Sequence, residues 1–259
     1  MKKNIVIIWW GTSGWISAFY LAQKLDRNIY NILLFSSDTI GTIGVSESTI
    51  PYVADFLIWL GISEKELLQE TQGTIKMWIL FENWNPERSF IHPFTRWITS
   101  LDIADEHIAY WFSQFFPHAN YDEYADIAYY LFQENKISKQ QDGISKYEYA
   151  YHLDAHLLSI FLKKKSIELW VQYHEWIVEC VSDSQWQITA VKYKQDYISC
   201  DFVVDCSGFH SQIIDRDKNN TFISFQNELI CNKALFARSQ QDQNYPVYTL
   251  SSAMDFGWR

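Results

Sequence analysis

Three features of the 259-residue sequence predict an α/β fold, a Rossmann-like βαβ unit with inserted helices and a β-meander. The first is the stretch KNIVIIWWGTSGWISAFYLAQKL (3–25), in which an apolar strand enters a small-residue turn and then an apolar helix. The second is YNILLF (30–35), a further strand that closes the unit near the ~30 residues such a unit spans. The third is a run of short β-rich segments after residue 170, ending in the buried strand DFVVDCSG.

Each element has a local reason. NIVII (4–8) is β-branched at every position after Asn4, which suits a buried parallel strand. TSGWISAFYLAQKL (12–25) places apolar residues at helical spacing. PYVADFLIWLGI (51–62) is a helix opened by Pro51 and stopped by Gly61. TIKMWILFENW (74–84) reads as one strand. Residues 100–135 alternate aromatics with acids and read as helical, and QQDGIS (140–145) as a loop. YAYHLDAHLLSIFLKKK (149–165) reads as one amphipathic helix, with its lysines at the helix end. VQYHE, IVECVSDS, QITAVKYK and YISCDFVVDCSGF read as successive strands of the meander.

Composition narrows the function classes. A net charge of −10 argues against a nucleic-acid surface, and KKK at 163–165 is the only basic run. Cys180, Cys200, Cys206 and Cys231 lack metal-ligand spacing and suit a reducing cytoplasm. The start MKKNIVIIWW mimics a secretory leader, but GTSG interrupts its apolar run and no clear cleavage site follows. No apolar stretch reaches the ~18 residues of a membrane span. A metal site is not expected.

The turn after NIVII has the build of a diphosphate cradle. Such a cradle uses G-x-G-x-x-G so that backbone amides at a helix start approach the ligand closely. Here those positions hold Trp9, Gly11 and Gly14, and Ser36 stands where an acid would grip a ribose. By pattern alone, two readings remain: a nucleotide-binding turn, or a strand–helix connection without a ligand.

Five further motifs narrow the choice. GTIGVSESTIP (41–51), FENW (81–84), YAYHLDAHLLSIFL (149–162), FVVDCSGFHSQII (202–214) and SSAMDFGWR (251–259) together resemble the flavin-dependent tryptophan halogenases, in the family's order. The resemblance runs from residue 4 to the last and covers about the N-terminal half of a typical member. It implies a single, incomplete FAD-binding domain over residues 1–259, flavin monooxygenase-like in fold. It further implies reduced FAD delivered by a separate flavin reductase, O₂, halide oxidised to hypohalous acid, and a small aromatic substrate. A homodimer is left open. Carried over by position, the cofactor residues are Gly11, Thr12, Ser13, Gly14, Ile43, Val45, Glu47 and Ser48, with Asp205 and Gly208 as additions.

The sequence also departs from the family. Leu80 takes the place of the family's lysine, which handles hypohalous acid, so no catalytic residue is assigned. Lys76 shares the strand face of Leu80 by the period-2 rule, but lies about 13 Å along it. The family's W-x-W-x-I-P signature stops at its first tryptophan, Trp258. Two readings stand beside halogenation: a flavin monooxygenase without halide chemistry, and a degenerate, non-catalytic relative.

Glycine and tryptophan usage adds a third departure. The chain has 12 Trp and only 9 Gly, about half the ordinary glycine share. Trp9, Trp10 and Trp78 fall where the family has glycine, and Trp170, Trp176 and Trp186 fall at apparent turns. Glycine changed to tryptophan at a tight turn costs ~1–3 kcal/mol or more per site. We read the six as glycine codons (UGA, decoded as glycine in some bacteria) rendered as tryptophan.

The remaining candidates divide between site and scaffold. Glu47 in SEST could touch the flavin or cap the helix near Pro51. His92 and His107 could line a substrate pocket, but lone histidines of this kind read as structural. His152 and His156 of the run His152, Asp154 and His156 would share a helix face, but no third metal ligand is placed, and the run also reads as structural. The aromatic group Tyr110, Trp111, Phe112, Phe115, Phe116, Tyr129, Tyr130 and Phe132 suits either a substrate pocket or a core. Cys206 reads as an inert strand–turn thiol.

Overall fold

The computed structural model describes residues 2–9, 11–36, 47–94, 114–119, 128–134, 148–185, 187–208, 211–214, 223–229, 231–237 and 246–259. Ile43, Val45, Trp10, Trp186, His107 and Tyr110–Phe112 lie outside these residues, as does the side chain of Tyr129. The chain divides into two compact units. The first comprises Met1–Glu47, Ile62–Gln72 and Asp154–Ala234, and the second Ser48–Gly61, Gly73–Leu153 and Leu235–Arg259.

The first unit is an α/β layer structure. Strands β1 (Lys3–Trp9), β2 (Tyr30–Ser36), β8 (Gln172–Glu175) and β12 (Phe202–Cys206) form a parallel sheet in the order β12-β1-β2-β8. Every residue of β1 from Ile5 to Trp9 is buried, as expected for the centre of a covered parallel sheet. Alternation then divides the strand between two layers. Val6 and Ile8, with Leu33 and Phe35 of β2, pack on Val178, Cys180, Val191 and Cys200. Those residues belong to or flank an antiparallel meander of β9 (Glu179–Ser182), β10 (Ile188–Tyr193) and β11 (Asp196–Ser199). The meander is as expected, except that VQYHE supplies β8, which joins β2 in the parallel sheet.

Helices α1 (Thr12–Lys24) and α5 (Ala155–Leu169) pack together in this unit, and α3 (Glu64–Glu70) packs on α5. Lys165 of α5 pairs with Glu66 of α3 at 2.7 Å. Lys163 holds its ammonium 3.8 Å from the Tyr173 ring centre. The KKK run therefore lies within α5, binding helix to neighbour, rather than at the helix end.

The second unit holds two small sheets. β3 (Glu47–Ser48), β7 (Ala150–Leu153) and β4 (Thr74–Lys76) form one, in the order β3-β7-β4. The other has the order β14-β13-β5-β6, built from β5 (Trp78–Glu82), β6 (Phe90–Pro93), β13 (Tyr248–Met254) and β14 (Gly257–Trp258). Helix α2 (Pro51–Trp59) begins at Pro51 and is ended by Gly61, whose φ of +76° only glycine adopts cheaply. Within the aromatic stretch, α4 (Ala128–Gln133) is helical.

Two expected elements are cut in two. The single strand 74–84 breaks at Met77, so that β4 pairs with β7 while β5 pairs with β13 and β6. Lys76 and Leu80 thus belong to different sheets, and the period-2 relation between them does not apply. The expected helix 149–165 begins as strand β7. Asp154 then caps α5 by accepting from the Leu157 amide at 2.9 Å. His152 consequently sits on a strand and His156 on a helix, so they share no helix face.

Candidate functional site

Parallel pairing sets Trp9 opposite Cys206, bringing the turn at 11–14 beside the turn at 205–208. Both lie beyond the C-terminal ends of parallel strands, where open α/β sheets place their ligands. Gly11 is the N-cap of α1, and no side chain caps the helix or puts negative charge in its first turn. A Cβ at Gly11 would meet no atom of the described residues within 4 Å, so the space beside Gly11 at the head of α1 is open. Uncapped amides at the positive end of a helix dipole suit an anionic diphosphate.

The other side of the turn is filled. A Cβ at Gly14 would overlap the indole of Trp9, which is buried between β1 and α1. That indole meets Trp15 edge-on at 5.6 Å, and the Nε1 atoms of both rings lack an acceptor among the described residues. The indole therefore takes up the close strand–helix contact that glycine normally permits, and leaves the Gly11 side free. The residues present fit a diphosphate at Gly11–Ser13.

The neighbouring turn is built by Asp205. Its carboxylate accepts from the Ser207 amide at 2.9 Å and the Ile213 amide at 3.0 Å, and also from the Ser207 hydroxyl. Ser207 in turn accepts from the Gln212 amide at 2.9 Å. Gly208 has φ +57°, a left-handed conformation that favours glycine. Asp205 is thus committed to shaping the loop. Burial raises the Cys206 thiol pKa, while hydrogen bonding with Ser17 and Ser13 opposes the shift, so the sulfur stays protonated at neutral pH. Ser36, at the end of β2, is buried and hydrogen-bonds Tyr173 at 3.1 Å.

In the second unit, Ser48 lies at the end of a polar chain that no local spacing in the sequence announces. Lys76 is only 2% exposed. Its Nζ donates to Ser48 Oγ at 2.9 Å and to the Thr49 carbonyl at 3.0 Å, with the Phe94 ring centre 5.1 Å away. Ser48 Oγ lies 2.8 Å from Thr249 Oγ1, which is itself 2.8 Å from His152 Nε2. Burial lowers the Lys76 pKa to about 8; burial, then Lys76, lowers that of His152 to about 4. Among the described residues no carboxylate pairs with Lys76. Glu47 precedes Ser48 in β3, and Thr49 is tied to Tyr151 of β7 through its amide and hydroxyl.

Leu80 is half-buried in β5, in register with Leu250 and Ile91. Among the described residues no group of His, Cys, Asp and Glu gathers as metal ligands, and no helix is long and apolar enough to cross a membrane.

The family model described as Tryptophan halogenase matches residues 4–259. This chain belongs to the tryptophan halogenase family.

Tryptophan 6-halogenase ThaL of Streptomyces albogriseolus is 31% identical over 99% of this chain and 52% of its own length. Tryptophan 7-halogenase RebH of Lentzea aerocolonigenes is 30% identical, over 98% and 52%. The crystal structure of tryptophan 6-halogenase SttH from Streptomyces toxytricini superposes with a TM-score of 0.84 at 26% identity, covering 99% of this chain and 54% of that one. The chain spans about half the length of these relatives. Its α/β architecture, with a parallel Rossmann-like sheet, is that of the tryptophan halogenase family.

Proposed function

We propose that this tryptophan halogenase-family chain binds FAD and serves an oxidoreductase that uses O₂ and halide on a small aromatic substrate. The observation that carries this reading is the open, uncapped start of α1 at Gly11, at the C-terminal edge of the parallel sheet. Gly11, Thr12, Ser13 and Gly14 would hold the diphosphate. Asp205 and Gly208 would shape the adjoining loop, and Ile43, Val45, Glu47 and Ser48 would contact the flavin. When bound, reduced FAD supplies the electrons that activate O₂. A separate flavin reductase would deliver it, as in the family the sequence resembles. The buried thiols of Cys180 and Cys200, neither of them in a disulfide, support a cytoplasmic protein, and a homodimer stays open as its assembly.

Leu80 favours a second reading, an oxygenase without halide chemistry. Its alkyl chain neither donates a hydrogen bond nor offers an amine to an oxidised halogen species. One experiment separates the two: incubate the full-length protein with FAD, a flavin reductase, NADH and bromide, and examine tryptophan and simpler indoles by mass spectrometry. A brominated product supports the first reading, and an oxygenated product the second. A protein that never retains flavin overturns both. Sedimentation of the same preparation tests the homodimer.

A further inference from the structure

A buried lysine without a carboxylate partner is costly, because its charge must be desolvated with no ion pair in return. Scaffold polarity at such a place is more cheaply supplied by neutral groups. Lys76 nevertheless directs its Nζ at Ser48 Oγ and the Thr49 carbonyl, with an aromatic face behind it. The hydroxyl it touches is exposed, and a second hydroxyl approaches from Thr249 on β13, backed by His152 on β7. Four strands of one unit, β3, β4, β7 and β13, thus converge on a single serine oxygen.

The donor inventory gives this chain a direction. Lysine only donates, so Ser48 Oγ accepts from it. If His152 Nε2–H donates to Thr249, and the Thr249 hydroxyl donates to Ser48, the serine oxygen receives two hydrogen bonds. Its own proton is then unspent and points outward. A cationic donor behind the oxygen also strengthens that outward O–H as a donor.

We propose that Lys76 is a positioning residue that, with Thr249 and His152, turns the Ser48 hydroxyl into a fixed, polarised donor for an electron-rich acceptor on the flavin ring. This rests on the flavin-binding reading above. Reduced flavin carries more negative charge than oxidised flavin, so such a donor favours the reduced form. Lys76 itself touches neither substrate nor cofactor; it acts through Ser48.

The test compares dissociation constants of oxidised and reduced FAD, by fluorescence titration under air and under anaerobic reduction, for full-length wild type, Lys76→Met, Ser48→Ala and the double variant. Lys76→Met should weaken reduced FAD about tenfold relative to oxidised FAD, a drop of ~30 mV in the bound two-electron potential. Ser48→Ala should produce a similar shift, and Lys76→Met should add nothing to it. Lys76→Arg should restore much of the preference by keeping the charge. If Lys76→Met does not fold, Thr249→Val removes one donor to Ser48 without touching the charge and should shift the ratio the same way. An unchanged ratio in flavin-loaded variants, or fully additive shifts, overturns the role of Lys76 while leaving flavin binding intact. A wild type that binds FAD in neither redox state overturns the cofactor reading and this role together.

Discussion

The indole of Trp9 occupies the volume that a Cβ on Gly14 would need. Trp9 ends β1 and Gly14 lies in the first turn of α1, so the pair sets how closely strand and helix approach. Gly14→Ala should destabilise the protein by ~1–3 kcal/mol through overpacking, despite alanine's better helix propensity. In a Trp9→Gly background the same change should cost far less. Denaturant midpoints of the four variants measure the coupling; equal losses in both backgrounds would remove the contact from the account.

Space, not backbone conformation, supports glycine at the unusual tryptophans. None of Trp9, Trp78, Trp170 and Trp176 lies in the left-handed region that favours glycine; the φ of Trp170, 177°, is extended. Trp78 is fully buried and, like Trp9, leaves its Nε1 unpaired among the described residues. Trp15, which is not one of the six, shares that deficit, so an unpaired indole alone does not mark a glycine site. Trp170 donates to the Ala22 carbonyl at 2.8 Å, and Trp176 is 44% exposed. Peptide mapping of the protein from its source should find glycine at 9, 10, 78, 170, 176 and 186. Indole-bearing peptides at those positions, or UGG codons, would refute the reassignment.

The Lys76–His152 pair predicts a stability that climbs with pH in two windows. His152 titrates at about 4 when folded, against 6.5 for the free group. Between those values the unfolded chain holds more protons, so stability is lost as pH falls from 6.5 toward 4. Lys76 titrates at about 8 when folded, against 10.5. From 8 to 10.5 the folded amine has released its proton while the unfolded one keeps it, so stability rises again. Lys76→Met should flatten the alkaline limb and His152→Asn the acid limb, as read from denaturant midpoints across pH.

Asp205 should prove structural before it proves functional. Asp205→Ala strands the amides of Ser207 and Ile213, an expected loss of ~1–3 kcal/mol where those groups stay dry. Hydrogen exchange should quicken at both amides, with any loss of flavin affinity following from the loosened turn. Unchanged exchange would show that the loop does not depend on the carboxylate.

Much of the secondary structure was legible from local pattern. The β1–α1–β2 unit, Pro51 opening α2, Gly61 closing it and the meander all follow from apolar period and end signals. The two elements read as continuous share one cause. At 74–84 and 149–165, one apolar pattern continues across a change of partner, and the break at Met77 or Asp154 depends on which strand or helix packs alongside. Apolar period records burial, not the neighbour that causes it.

The sequence by itself determined the α/β class, the glycine turn at the head of α1 and the loop of Asp205 and Gly208, because each is written in residues close along the chain. Only the tertiary structure decided that residues 48, 76, 152 and 249 meet in one hydrogen-bonded chain, and that Asp205 is spent on its own loop. Strand pairing brings together groups far apart in sequence, and the cost of burying them unpaired then dictates their partners.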